Sequence, residues 1–295
     1  MAVSPLLSMV RKTFNVAPDS LDDLVDTETN PANFTSVDPR FPKEQELLFR
    51  IIGSTFKLDI DGYSTESVSD NFSKNGVILA GGAINSIFTC RPINDLDLYL
   101  RSVGDPSKKV DQDPSQRVEE YLRESGYSRK SVTNNAITYG RMINKVEKTI
   151  QIITRFGGSP EEIFNTFDFT IVQGAYDFRD NLFHFGESFF KDCAKRKLIY
   201  RSGSQYPLAA LARAKKYQGR GYSISAAQLV NIGFSISRLK LNTYGDAYEQ
   251  LIGVDPVALK KMREMASDDR PFDAEEFLTQ WTEFDVDDID LHLGS

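Results

Sequence analysis

LAGGAINSIFTCRPINDLDLYL runs from Leu79 to Leu100. It begins inside a short apolar run, GVILAGG, which reads as a buried strand entering a turn. AINSIFTC has the length of a short helix. DLDLYLR alternates, so it reads as a strand with Asp95 and Asp97 on one face. Two carboxylates sharing a face repel each other, and the pair is costly unless water or a cation shields it. Mg²⁺, a hard cation, takes oxygen ligands of this kind. Gly81 and Gly82 allow close backbone approach, with N–H groups facing phosphate oxygens. Read together, these parts form a corner for nucleotidyl transfer, in which two ions activate a hydroxyl and stabilise leaving pyrophosphate. Taken singly, an Asp-x-Asp strand and a Gly-Gly turn are ordinary surface features.

Outward from this corner the pattern changes twice. Residues 1–42 are rich in Asp, Asn, Pro, Ser and Thr without sustained periodicity, and read as an extended arm. KEQELLFRIIGSTF places Leu47, Leu48, Ile51 and Ile52 at helical spacing. SQRVEEYLRESG reads as a helix closed by Gly126. AITYGRM and KTIQIITRF read as paired strands. SPEEIF opens a helix, with Ser159 as cap, Pro160 at its first position and Glu162 completing a capping box. DFTIVQGAYDF returns to strand character. After about residue 187 only helical patterns follow, among them PLAALARAKKYQGRG, SAAQLVNIGFSISRLK, DAYEQLIG, DPVALKKMREMA and DAEEFLTQWTEF. The expected fold is therefore α+β: a head at 43–186 with a mixed sheet flanked by helices, then an all-α neck and body at 187–284. An acidic tail follows at 285–295.

Bulk properties narrow the chemistry. The chain is 40% hydrophobic and 26% charged over 295 residues, ordinary for a soluble globular protein. No apolar run suits a membrane span or a secretory signal, so the expectation is a cytoplasmic protein, in the host cytoplasm if viral. Cys90 and Cys193 are too few for a disulfide framework, and no His/Cys cluster suggests zinc. A net charge of -7 repels polyanions at long range but leaves room for a local basic patch. One candidate is RAKKYQGRGY, where Arg213, Lys215, Lys216 and Arg220 interleave with Tyr217 and Tyr222. By composition alone, that stretch is a solvated helix face.

The motif has two partners further along. LAGGAINSIFTCRPINDLDLYL resembles the head motif of the polymerase-β-like nucleotidyltransferases, closest to the class II branch of CCA-adding enzymes and poly(A) polymerases. FDFTIVQGAYD (Phe167–Asp177) is similar to that branch's RRDFTINALAYD segment. YPLAALARAKKYQGRGYSIS (Tyr206–Ser225) is similar to its neck segment. The resemblance implies that Asp95, Asp97 and Asp168 form a catalytic three-carboxylate site holding two Mg²⁺, with Mn²⁺ as the substitute ion. It further implies that Gly81, Gly82, Asn85, Arg213 and Lys216 line a nucleotide site. Gln151 is a rival inward-facing polar residue, able to lend a carbonyl oxygen but no charge.

Departures from the family pattern bear on specificity. AINS stands where a phosphate-binding Arg-Asp is expected. Thr166 and Phe167 replace two arginines, and Val172 replaces an asparagine. The nucleotide-selecting Glu-Asp-x-x-Arg is Gln205-Tyr206-Pro207-Leu208-Ala209 here, which argues against CCA addition. The resemblance thus implies transfer of a nucleoside monophosphate from an NTP to a hydroxyl, foremost an RNA 3′ end. The alternative is a catalytically inactive binding protein on the same scaffold. The arm and tail suggest docking segments for a protein partner, and the whole is compatible with a phage or other mobile-element protein.

Overall fold

The computed structural model describes residues 34–37, 41–58, 67–101, 113–133, 135–201, 204–251 and 270–277. The chain divides into two compact units. The first is Met1–Phe167 with Ile171–Ala194, and the second is Asp168–Thr170 with Lys195–Ser295. The class is α+β, as the sequence implies. The DPVALKKMREMA pattern, most of DAEEFLTQWTEF, the acidic tail and most of the arm lie outside the described residues.

In the first unit an eight-stranded sheet holds β1 (Phe34–Val37), β2 (Val77–Ala80), β3 (Asp95–Leu100) and β4 (Ser128–Val132). The others are β5 (Ala136–Ile143), β6 (Val146–Gly157), β7 (Gly174–Asp177) and β8 (Leu182–Gly186). Their order is β1-β8-β7-β2-β3-β6-β5-β4, and within this sheet only β3 and β6 run parallel. Part of the arm thus supplies an edge strand, since Phe34–Val37 pairs with β8. Around the sheet stand α1 (Pro42–Arg50), α2 (Val68–Lys74), α3 (Gly82–Thr89), α4 (Pro114–Glu124), α5 (Pro160–Phe164) and α6 (Phe189–Lys195).

Strand alternation sorts the core into two layers. Leu79, Leu98, Tyr176, Phe183 and Phe185 belong to the face packed by α1 and α3, where Phe41, Phe88, Phe189 and Phe190 join a cluster of mostly edge-to-face rings. Ile78, Ala80, Tyr99 and Ala175 face the other way and pack with Ile163 and Phe164 of α5 and with Phe167. The α5 start has the expected capping box from Ser159 and Glu162. Gly174 shows how tightly the first layer closes. A Cβ there would lie 2.7 Å from Ile84 Cγ2 and 3.0 Å from Phe189 Cε2. Gly174→Ala is therefore expected to destabilise the unit by about 1–3 kcal/mol through overpacking, read as a lower urea midpoint.

Three elements differ from the sequence reading. β4 is fully exposed along its length, so it shows no apolar alternation, and a register shift lies between Arg129 and Ser131. DFTIVQGAYDF is strand only from Gly174 on. Its first half is a 3-10 turn at Thr170–Val172, preceded by an isolated bridge from Phe169 to Tyr200. The turn arises because Thr170 N–H bonds to Ile199 O, 3.2 Å away, in place of a sheet neighbour. Finally, the second unit is not all-α. Besides α7 (Pro207–Gly219), α8 (Ala226–Ile236) and α9 (Tyr244–Glu249) it holds a two-residue parallel pair, β9 (Lys197–Leu198) before α7 with β10 (Ser223–Ile224) after it.

Candidate active site

β2 delivers the chain to Gly81, whose N–H donates to Gly174 O at 2.9 Å. Gly81 has φ 84° and ψ -133°, a conformation open to glycine alone. From there the chain turns directly into α3, a helix buried from Ala83 to Phe88. A Cβ on Gly81 would only touch Phe167 Cζ at 3.7 Å and Asp97 Oδ2 at 4.0 Å. Space is therefore not the constraint; backbone conformation is. Gly81→Ala is expected to cost about 1–3 kcal/mol in strain and to displace the first N–H groups of α3, read as a lower melting temperature.

Asp95 and Asp97 stand on β3 as read, with Leu96 and Leu98 fully buried on the other face. Asp95 is exposed and Asp97 half-buried. Two residues of strand separate their Cα atoms by about 6.6 Å. Lys148 Nζ binds Ile93 O at 3.1 Å and Asn94 Oδ1 at 2.6 Å, just before the acidic pair. Burial pushes the Lys148 pKa down, and the charge of Asp95 pulls it back up. Oxygen donors of this kind, beside a glycine-led helix start, fit Mg²⁺.

The sheet register adds residues that the sequence reading passed over. Asp97 lies beside Gln151, Gln151 beside Thr138, and Thr138 beside Ser131. A second row runs Asp95, Thr149, Gly140, Ser128. These two rows share the face of the acidic pair, and Thr149, Gln151 and Thr138 are half-exposed there. Together they form a neutral hydrogen-bonding shelf leading away from Asp95 and Asp97. Lys130 and Glu147 bridge across side-chain-free Gly140 at 3.2 Å. Only Gln151 was singled out from sequence. Thr138 and Thr149 carry no motif, and pairing alone reveals them.

The remaining expected residues fall elsewhere. Asn85 is 1% exposed, and its amide donates to Ile171 O at 2.9 Å and Cys193 Sγ at 3.2 Å. Its side chain serves the interior of the first unit. Both cysteines are free thiols. Asp168 belongs to the second unit and is 4% exposed. Arg213 Nε donates to its Oδ2, and the Ser204 hydroxyl donates to its Oδ1. Arg213 comes from α7, whose Pro207, Ala210, Ala214 and Tyr217 form the buried stripe. Lys216, one turn on, is half-exposed. The structure thus brings Gly81, Asp95 and Asp97 together in one unit, and Asp168 with Arg213 in the other.

A model of the family described as "Gabija anti-defense 2 family protein" matches residues 52–196. A relative named "Gabija anti-defense 2", from Bacillus phage SPbetaL7, is 33% identical over 207 residues, 70% of this chain and 49% of its own length. The chain therefore spans about half the length of the curated relative it matches. Among solved structures, a CCA-adding enzyme in apo form I is similar with TM-score 0.49 and 16% identity, over 80% of this chain and 54% of that one. The Thermotoga maritima CCA-adding enzyme complexed with tRNA is similar with TM-score 0.44 and 16% identity, over 79% and 54%. No helix among the described residues is long and apolar enough to cross a membrane.

Proposed function

We propose that this chain is a metal-dependent nucleotidyltransferase that a phage uses against a Gabija defence system in the host cytoplasm. The observation that carries the reading is Asp95 and Asp97 on one face of β3, beside the Gly81 turn into α3. The Gabija anti-defense relative and family model support the biological setting. The chemistry is transfer of a nucleoside monophosphate from an NTP to a hydroxyl, with an RNA 3′ end as the leading acceptor. An acceptor oxygen attacks the α-phosphorus, a new P–O bond forms, and the bond to pyrophosphate breaks. Mg²⁺ held by Asp95 and Asp97 would supply a Lewis acid for that step.

The chain's own groups bind and orient. The first N–H groups of α3 face phosphate oxygens, as a helix start with unpaired donors does. Thr149, Gln151 and Thr138 offer hydroxyl and amide groups to an acceptor near the acidic pair. Asp168 fixes the Arg213 guanidinium, and a triphosphate is the anion that Arg213 and Lys216 would hold. The family expectation for Asp168 as a third ligand stays part of the proposal. Because Ser204 and Arg213 hold its two oxygens, ligation would require one of those bonds to yield. Asn85, spent inside the fold, has no place in it.

One observation favours the binding-protein reading: Asn85 and Ser86, buried, occupy the positions where the family carries its phosphate-binding pair. The deciding experiment incubates the chain with each α-labelled NTP, Mg²⁺ or Mn²⁺, and RNA or protein from cells carrying Gabija. Label in one macromolecular fraction is the expected result. No label with any NTP, together with no Mg²⁺-dependent heat of NTP binding in calorimetry, would leave the binding reading standing.

A further inference from the structure

The sheet face that bears Asp97 has a second polar cluster at its far end. β7 and β8 pair Ala175 with His184 and Asp177 with Leu182, so Asp177 and His184 project from one face as diagonal neighbours. Asp180 follows in the connecting turn. One ligand atom from each of Asp177, Asp180 and His184 lies within 4.8 Å of the others. His184 is 8% exposed, and among the described residues neither ring nitrogen has a hydrogen-bond partner. Buried polar atoms are nearly always satisfied, and an exception calls for a missing partner such as an ion.

The neighbouring contacts do not supply that partner. Arg101 Nε donates to Asp177 Oδ2 at 2.7 Å, its Nη2 reaches Asp180 Oδ2, and Arg179 N–H donates to Asp177 Oδ1 at 2.9 Å. These bonds serve the carboxylates only. A neutral imidazole needs something for its lone pair, and no bond in this network reaches it.

We propose that Asp177, Asp180 and His184 bind a borderline divalent cation, with Zn²⁺ as the type. One imidazole nitrogen and two carboxylates suit Zn²⁺, whereas Mg²⁺ prefers an all-oxygen octahedral set. Zinc bonds of about 2.0–2.2 Å set tetrahedral donors about 3.4 Å apart, so the three side chains draw inward on binding. Asp177 and His184 are fixed on strands, while Asp180 is exposed in the turn and has room to move. Arg101 then stays on the carboxylates as an outer hydrogen-bond partner, a usual arrangement around ligating groups. The ion would fasten β7, β8 and their connecting turn to one another. In the row Asp97, Ala80, Ala175, His184, three strand spacings, about 14 Å, separate His184 from Asp97. This site is therefore distinct from the acidic pair.

The test uses the untagged full chain carrying Asp95→Asn and Asp97→Asn, stripped with chelator and then dialysed against Zn²⁺. One bound equivalent by mass spectrometry of metals and a Zn²⁺-dependent rise in melting temperature are expected. His184→Gln should weaken binding at least about 100-fold and abolish the visible Co²⁺ absorption band of the substituted protein. Asp180→Asn, on an exposed turn that tolerates change, should weaken binding at least about tenfold and keeps the test decisive where His184→Gln fails to fold. No retained Zn²⁺ in the parent chain, or retention unchanged by Asp180→Asn, overturns the proposal.

Discussion

Converting both Asp95 and Asp97 to asparagine is expected to lower nucleotide transfer by at least about 10³-fold, roughly 4 kcal/mol of transition-state stabilisation. The substitutions keep shape and hydrogen-bonding capacity but remove both charges that would hold the metal. Stability should change little. The two carboxylates are exposed and half-buried, Leu96 and Leu98, which anchor β3, are untouched, and relief of the repulsion between the pair offsets the lost attraction of Asp95 for Lys148. The variant should melt within a few degrees of the parent. Activity and stability thus move independently, which separates a functional pair from a structural one. Transfer by the double variant at the parent rate would remove the acidic pair from the proposal. Loss of both transfer and fold would point instead to a structural role for the pair.

Arg213→Ala is expected to be among the most destabilising single changes in the second unit. Asp168 is 4% exposed, and without Arg213 its charge would keep, among the described residues, the Ser204 hydroxyl as its side-chain partner. Stranding a buried charge costs about 3 kcal/mol or more, read as a lower urea midpoint. Asp168→Asn should cost less, about 1–2 kcal/mol, because Arg213 is 27% exposed and can turn to water. The double variant should recover part of the loss from Arg213→Ala, since the stranded charge is gone. Parent stability in both single variants would mean that the pair holds nothing together. Asp168→Asn, set beside a further variant, Arg213→Lys, also addresses chemistry. If Asp168 ligates metal, Asp168→Asn loses more transfer than Arg213→Lys; if it only fixes Arg213, the two losses match.

Much of the first unit was legible because burial left a period in the sequence. GVILAGG, DLDLYLR and SPEEIF each declare their element through apolar spacing, alternation or capping chemistry, and each is found where it was read. β4 left no such trace. SRKSV is exposed at every position, so no alternation marks it as a strand. The DFTIVQ turn misleads for the opposite reason. Phe169 and Ile171 are fully buried, which gives strand-like alternation to a segment that turns. At the site, Asp95 and Asp97 were legible because i and i+2 on a strand share a face by geometry. Thr138 and Thr149 come from sheet register, and the Asp177–Asp180–His184 cluster from the pairing of one short hairpin, which carries no motif of its own.

The register shift at Arg129–Ser131 has a consequence for how the molecule behaves in a crowded cell. β4 is the outer strand on its side of the sheet, and such a border invites another chain to continue the ladder. Here the border is kinked, and its first residues carry Arg129, tied back to Glu119, and Lys130, tied to Glu147. Cationic side chains and an irregular ladder discourage a stranger from docking in extended form. The border is thus guarded by the same features that hid it from sequence reading. Smoothing it, by turning Arg129 and Lys130 into threonine and valine, would trade solubility for self-association.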